Sequence, residues 1–166
     1  MNKIFIFGIS GSGKTTFSKR LGDKLKIKAY DLDDMYFKEG KEYINRDRKK
    51  RNKILEKIIK KKNWIIEGSH TEEWISPIFK NLDLIIVIDT KLSICKRRII
   101  MRSIKRKFTG SKKEKLPFVI KMIKKFVSTE MRTKKLTELK KLNKRKTKVI
   151  ILKNKKQINN FINSLK

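Results

Sequence analysis

Residues 8–15 read Gly8-Ile9-Ser10-Gly11-Ser12-Gly13-Lys14-Thr15, and no other stretch narrows so far what this chain can fold into. The glycines let the backbone turn successive N–H groups inward around an anion, the lysine adds a charge on a long arm, and a hydroxyl stands directly behind it. The spacing is G-x-x-x-x-G-K-[ST], the Walker A phosphate loop, which needs a strand before it and a helix after it. Ile4-Phe5-Ile6-Phe7 reads as the buried strand, and Phe17 and Leu21 recur at helical spacing behind the loop. The phosphate-binding set is therefore Gly8, Ser10, Gly11, Ser12, Gly13, Lys14, Thr15 and Thr16. Lys14 is placed to reach the β- and γ-phosphates of a nucleotide and the Thr15 hydroxyl to ligand Mg²⁺. The alternative is a glycine-rich turn that binds nothing.

The rest of the chain alternates strands with helices. Ile27–Tyr30 reads as a second strand running into the acidic cluster Asp31-Leu32-Asp33-Asp34, and 38–49 as a polar, initially irregular stretch. Ile54, Leu55, Ile58 and Ile59 then repeat at helical spacing. Trp64-Ile65-Ile66 is a third strand ending in Glu67-Gly68-Ser69-His70, and Thr71 with Glu72 and Glu73 reads as a helix start. Leu84–Ile88, apolar throughout, reads as a central parallel strand closing on Asp89, which we expect to start the helix beginning at Thr90 rather than to ligate a metal. A long helix is expected over 92–106 and a new one at Pro117; Leu136, Leu139 and Leu142 mark another, followed by a fifth strand, Val149–Leu152, and an amphipathic closing helix. This order predicts a three-layer α/β phosphate-loop NTPase fold, a five-stranded parallel sheet flanked by helices, with a helical lid region. At 166 residues, 38% of them apolar, a single domain over 1–166 is expected, with an arginine-rich lid and following helical segment at 92–128 inside it.

Charge bounds the partners. Lys and Arg number 47 against 16 Asp and Glu, a formal net charge of +31, which makes nucleic acid a candidate partner; the other reading is lysine spread over solvated faces. Cys95 is alone, so an intramolecular disulfide is excluded, and its setting reads as an inert core thiol. No signal-peptide layout or membrane-length apolar run is present, and a cytoplasmic protein without membrane partners is expected.

Arg98, Arg102 and Arg106 are spaced four apart and share one helix face, with Arg97 beside them. Such a face could fold over transferring phosphates, or it could be a solvated basic face. Asp31 and Asp33 alternate, so on an extended strand end their carboxylates point the same way, one toward Mg²⁺ and one toward an acceptor hydroxyl. Glu67 is a second candidate for the magnesium shell; the alternative for all three is an acidic rim. His70, the only histidine, could touch substrate, though a lone loop histidine is more often structural. Trp64, Trp74, Tyr36 and Phe37 read as packing residues, the last two close enough to the acids to wall an acceptor pocket.

The phosphate loop, Tyr30-Asp31-Leu32-Asp33-Asp34-Met35-Tyr36, Trp64-Ile65-Ile66-Glu67-Gly68-Ser69 and the three arginines together resemble the nucleotide- and small-molecule-kinase branch of the phosphate-loop proteins, with adenylate and shikimate kinases among its members. The closest resemblance is to the small adenylate-kinase-like family labelled DNA-topology-modulation proteins. It covers residues 3 to about 106. It implies that Lys14 and Thr15 hold ATP phosphates and Mg²⁺, that Asp31 serves the metal side and Asp33 the acceptor, that Glu67-Gly68 stands where adenylate kinases carry Asp-Gly, and that Arg98, Arg102 and Arg106 fall in the lid. The chain departs from the family between Asp34 and Trp64, where no nucleoside-monophosphate signature is present, and after Arg106, where no metal-binding cysteine lid follows. The expected activity is ATP- and magnesium-dependent phosphoryl transfer to a small acceptor, a nucleotide or nucleoside. The rival expectations are a kinase or ATPase acting on RNA or DNA ends and a nucleotide-dependent regulatory protein with weak hydrolysis.

Overall fold

Strand β1 (Lys3–Phe7) forms the middle of the molecule because both of its faces are apolar and both are covered. In the computed structural model, which describes residues 2–38, 41–108 and 116–165, Ile4 and Ile6 point to one side and Phe5 and Phe7 to the other, all buried. Helix α1 (Lys14–Leu25) follows the phosphate loop. Strand β2 (Ala29–Asp31), helix α2 (Leu32–Tyr36), the hairpin β3 (Phe37–Lys38) and β4 (Lys41–Asn45), and helix α3 (Arg48–Ile59) come next. Strand β5 (Trp64–Gly68), a 3₁₀ segment (Glu73–Lys80), strand β6 (Leu84–Ile88), helices α4 (Leu92–Phe108), α5 (Leu116–Phe126) and α6 (Thr129–Leu142), strand β7 (Val149–Leu152) and helix α7 (Lys155–Ser164) complete the chain.

The main sheet has the order β2-β5-β1-β6-β7, and every pairing in it is parallel. This is the three-layer α/β arrangement expected. Phe17, Leu21 and Ile162, from α1 and α7, pack on Ile4, Ile6 and Ile86. On the opposite face Leu55, Ile75, Ile78 and Leu139 pack on Phe5, Ile66 and Ile85. Burying each such side chain stabilises the fold by about 1.5–3 kcal/mol relative to leaving it in water. Helices α4 and α5 close a third apolar group around Cys95, Ile99 and Val119. Cys95 is the buried thiol expected, and burial raises its pKa. No helix among the described residues is long and apolar enough to cross a membrane.

Four local expectations give way. The chain does not stay extended after Asp31: its carboxylate accepts the Asp33 N–H at 2.8 Å and so caps α2, turning the backbone into a helix. The stretch read as irregular contains the β3–β4 hairpin, tied down by Arg46, whose guanidinium donates to the carbonyls of Met35 and Phe37. Thr71 does not begin an α-helix; its hydroxyl donates to Glu138, and the 3₁₀ segment begins at Glu73 with Pro77 inside it, where a missing N–H prevents α-helical continuation. Asp89 is not a helix cap either. Its carboxylate pairs with Arg132 of α6, and α4 starts three residues later, at Leu92.

Candidate active site

A parallel sheet delivers all its strands to one end, and the loops after β1, β2 and β5 meet there. Gly11 and Gly13 have φ of +78° and +97°, a conformation L-residues rarely adopt. A Cβ on Gly11 would lie 2.5 Å from the Cys95 carbonyl oxygen, so glycine is required for space as well. Two of the loop's carbonyls are held from outside it: the Ser12 carbonyl accepts the Thr90 hydroxyl at 2.9 Å and an Arg98 N–H at 2.8 Å, and Arg98 also reaches the Gly11 carbonyl at 3.3 Å. With those two carbonyls engaged elsewhere, and no side chain capping α1, the amides at the start of that helix are left as donors for an anion.

Lys14, with 11% of its side chain exposed, lies at the loop's inner edge with its Nζ 3.7 Å from the Glu67 carboxylate. Glu67 is 1% exposed, and neither of its carboxylate oxygens has a hydrogen-bond partner within the protein. The β2–β5 register sets Asp31 beside Glu67. Burial, then the negative charges of Glu67 and Asp33, pushes the Asp31 carboxyl up to about 7. Asp31, Asp33 and Glu67 around a single ammonium make an excess of negative charge that a divalent cation would relieve. Among the described residues no group of three or more His, Cys, Asp or Glu is arranged to hold an ion without help. The unpartnered buried oxygens of Glu67 fit Mg²⁺, which keeps waters and takes one or two carboxylates together with substrate phosphates.

Asp33 sits in a second network. Its carboxylate meets His70 Nε2 at 3.1 Å, and His70 Nδ1 meets Glu72 at 2.9 Å. Burial works against the charged form of each group, yet the hydrogen bonds to His70 and the Lys14 charge hold the Asp33 pKa down. Asp33 and Glu72 raise that of His70, and His70 holds Glu72 down to about 2. The His70 ring lies 4.7 Å from Tyr36 and 5.4 Å from Trp74, and the Arg51 guanidinium covers Tyr36 and Trp74 at 5.0 and 4.5 Å. Arg51 Nε and Trp74 Nε1 are buried without a hydrogen-bond partner within the protein. Polar atoms in that state are costly unless something else satisfies them.

The structure thus brings Lys14, Asp31, Asp33 and Glu67 together and places Arg102 within electrostatic reach of Asp33. Arg98 is spent on the loop's carbonyls, while Ser10, Thr15 and Thr16 line the loop and the start of α1. Gly8 is packed against the Ser12 hydroxyl. The side chain of Arg106 lies outside the described residues, as do 109–115 between α4 and α5. Sequence reasoning gave little weight to His70 and none to Arg51, Glu72 or Thr90. The signal for His70 was its place just after Glu67 at a strand end; Arg51 is one of many cations in 46–62 and carries no signal of its own.

A family model described as "AAA domain" matches residues 4–116, the loop, both acidic strand ends and α4 included. The chain belongs to this AAA-domain family. A Methanocaldococcus jannaschii protein described as "Putative adenylate kinase" is 33% identical over 114 residues, 63% of this chain and 61% of that protein, so the chain spans under two thirds of the relative's length. Among solved structures, deoxyadenosine kinase from M. mycoides with bound dATP superposes with a TM-score of 0.58 at 18% identity, covering 99% of each chain. Shikimate kinase from Acinetobacter baumannii in complex with shikimate gives 0.57 at 15% identity, covering 100% of this chain and 96% of that one. At such identities these two establish the fold that the AAA-domain chain shares with them.

Proposed function

We propose that this protein transfers the γ-phosphoryl group of ATP to a hydroxyl or phosphate oxygen of a small acceptor, a nucleotide or nucleoside, within a single domain spanning 1–166 whose lid is the segment 92–128. One observation carries the reading. Asp33 is within electrostatic reach of Lys14 and is bonded to His70, whose ring packs against Tyr36 and Trp74 under the Arg51 guanidinium, so the phosphate loop and an aromatic wall share one carboxylate. The loop of residues 8–15 grips the phosphates through backbone N–H groups, and Lys14 neutralises charge developing on them. Asp33, kept ionised by its neighbours, accepts the proton of the acceptor hydroxyl as that oxygen bonds to phosphorus and the bond to the leaving diphosphate breaks. Arg51, stacked over the Tyr36 and Trp74 rings, would bring positive charge to the acceptor side. Arg102, with Arg106, supplies positive charge from the lid, and Arg98 engages two of the loop's carbonyls. Thr15, Asp31 and Glu67 would hold Mg²⁺, whose chemistry is to neutralise and orient phosphate oxygens. The proposal rests on AAA-domain membership and this geometry rather than on the narrower topology-modulation resemblance.

The test is incubation of γ-labelled ATP and Mg²⁺ with panels of nucleosides, nucleoside monophosphates, small hydroxy metabolites and 5′-hydroxyl oligonucleotides, with the labelled product identified. Label on one small-acceptor class, abolished by Lys14→Ala, supports the proposal. Label on oligonucleotide ends, or hydrolysis with no transfer to any panel, overturns it in favour of an end-kinase or a nucleotide-dependent regulator.

A further inference from the structure

The opposite end of the sheet holds a different kind of site. In a parallel sheet all strands also begin together, so the residues that lead into them converge. Lys3 opens β1, Lys62 lies two residues before β5, and Asp83 and Lys148 immediately precede β6 and β7. Backbone bonds lock these starts to one another: Trp64 N–H to the Asn2 carbonyl at 2.8 Å, Asp83 N–H to the Lys3 carbonyl at 2.9 Å, and Ile85 N–H to the Lys148 carbonyl at 3.0 Å. Between them opens a cavity of about 550 Å³ lined by Lys3, Lys62, Asp83, Arg145, Thr147 and Lys148 among others. Arg145 is drawn to its edge by donating to the Lys80 carbonyl.

Four cations thus face one carboxylate, and that carboxylate is already engaged. Asp83 accepts the backbone N–H groups of Asn2 and Lys3 at 2.7 and 3.1 Å, which holds its pKa down and commits its charge to the protein's own backbone. Among the described residues no carboxylate forms an ion pair with Lys62, Arg145 or Lys148. A concave surface lined by one sign of charge focuses the field more than the same lysines dispersed on a convex face. The size of the array selects among anions. From the β5 side to the β7 side is three strand spacings, about 14 Å. That is too long for one phosphate and suits several successive phosphates along one nucleic-acid strand. Among the described residues no aromatic ring lines the cavity, so bases would have nothing there to stack on.

We propose that this end of the sheet binds the sugar–phosphate backbone of nucleic acid, without sequence preference and apart from the phosphate-loop site. β1 is five residues long, so the two sites are separated by about 16 Å of sheet. A strand bound here leaves the ATP site open.

The experiment is fluorescence anisotropy of a labelled single-stranded 20-mer, titrated with the full chain over a series of salt concentrations. The cavity variant is Lys62→Gln/Arg145→Gln/Lys148→Gln. The control, Lys19→Gln/Lys155→Gln/Lys156→Gln, removes the same three charges from α1 and α7. The expected result is a salt slope lower by about 2 in the cavity variant, from about 0.7 per lost phosphate contact. Its affinity near physiological salt should fall at least tenfold, and the control should change less than threefold. Since Arg145 also braces Lys80, the double variant Lys62→Gln/Lys148→Gln is measured alongside; it should give a slope lower by more than 1. Equal losses in cavity and control variants, or an unchanged slope in the double variant, would overturn the proposal and leave only diffuse attraction. So would displacement of the oligonucleotide by a non-hydrolysable ATP analogue with Mg²⁺, which would put the nucleic acid in the phosphate-loop site.

Discussion

At their carboxyl ends β2, β5 and β6 deliver Asp31, Glu67 and Asp89; at their amino ends β1, β5 and β7 are led in by Lys3, Lys62 and Lys148. The acidic end is cross-linked: Glu67 is 1% exposed, Asp31 caps a helix, the half-exposed Asp33 is tied to His70, and Asp89 is paired with Arg132. The basic end is an open cavity in which, among the described residues, Lys62 and Lys148 have no carboxylate partner to fix them. The difference is one of preorganisation. Groups fixed before a ligand arrives can stabilise a transition state, because they need not reorganise as charge moves. Groups that settle only on contact supply attraction and little else.

Substitutions at the two ends should therefore differ in kind and in size. The largest effect is expected from Asp33→Asn, which keeps the shape and removes the proposed base: turnover should fall about 10²- to 10⁴-fold with ATP affinity retained, read by steady-state kinetics beside nucleotide titration. A loss of ATP affinity instead would move Asp33 to the nucleotide side. Next, Gly11→Ala should cost about 2 kcal/mol or more, since it combines an unfavourable positive φ with a contact on the Cys95 carbonyl. Urea unfolding measures that cost, and ATP binding should weaken with it. Third, His70→Ala should remove a pH-dependent part of the stability. The His70 pKa is raised from 6.5, so its contribution is complete below about pH 6.5 and is lost as pH rises through its higher folded value. The gap in unfolding free energy between wild type and variant should thus narrow from pH 6 to pH 9 or so; a gap that stays constant would mean that His70 acts by packing on Tyr36 and Trp74 alone. The smallest effect is expected at the basic end. Asp83→Asn keeps an acceptor for the two backbone N–H groups and loses only charge on an exposed side chain, so the unfolding midpoint should shift by less than the equivalent of about 1 kcal/mol.

How much of this was legible in the chain follows the same division between local and non-local causes. The phosphate loop, β1 and α1 could be read because a single stretch of 15 or so residues contains the strand, the glycines and the helix period. The strands Leu84–Ile88 and Val149–Leu152 could be read because each is an unbroken apolar run, although only the first is covered on both faces; β7 lies at the sheet edge with Val149 and Ile151 exposed. The β3–β4 hairpin could not, since Phe37–Asn45 is polar and is held by Arg46 reaching back to Met35 and Phe37. The alternation Asp31–Asp33 suggested extension, but an aspartate two residues before a free N–H can equally cap a helix, and here it does. The Asp33–His70 bond joins residues 37 apart, brought together by the pairing of Asp31 with Glu67, and only the sheet order supplies that information. Asp89 found its partner, Arg132, in a helix more than forty residues on.

The 16 Å or so of β1 between the two ends has a consequence for how such a protein changes over time. Substitutions that far apart with no shared partner add nearly independently in free energy. A lineage could then alter what its basic end holds, charge by charge, without retuning the carboxylates at the other end. It could equally exchange one acceptor for another while keeping its attachment. The parallel sheet would let the two proposed sites vary separately, because each rests on its own set of loops.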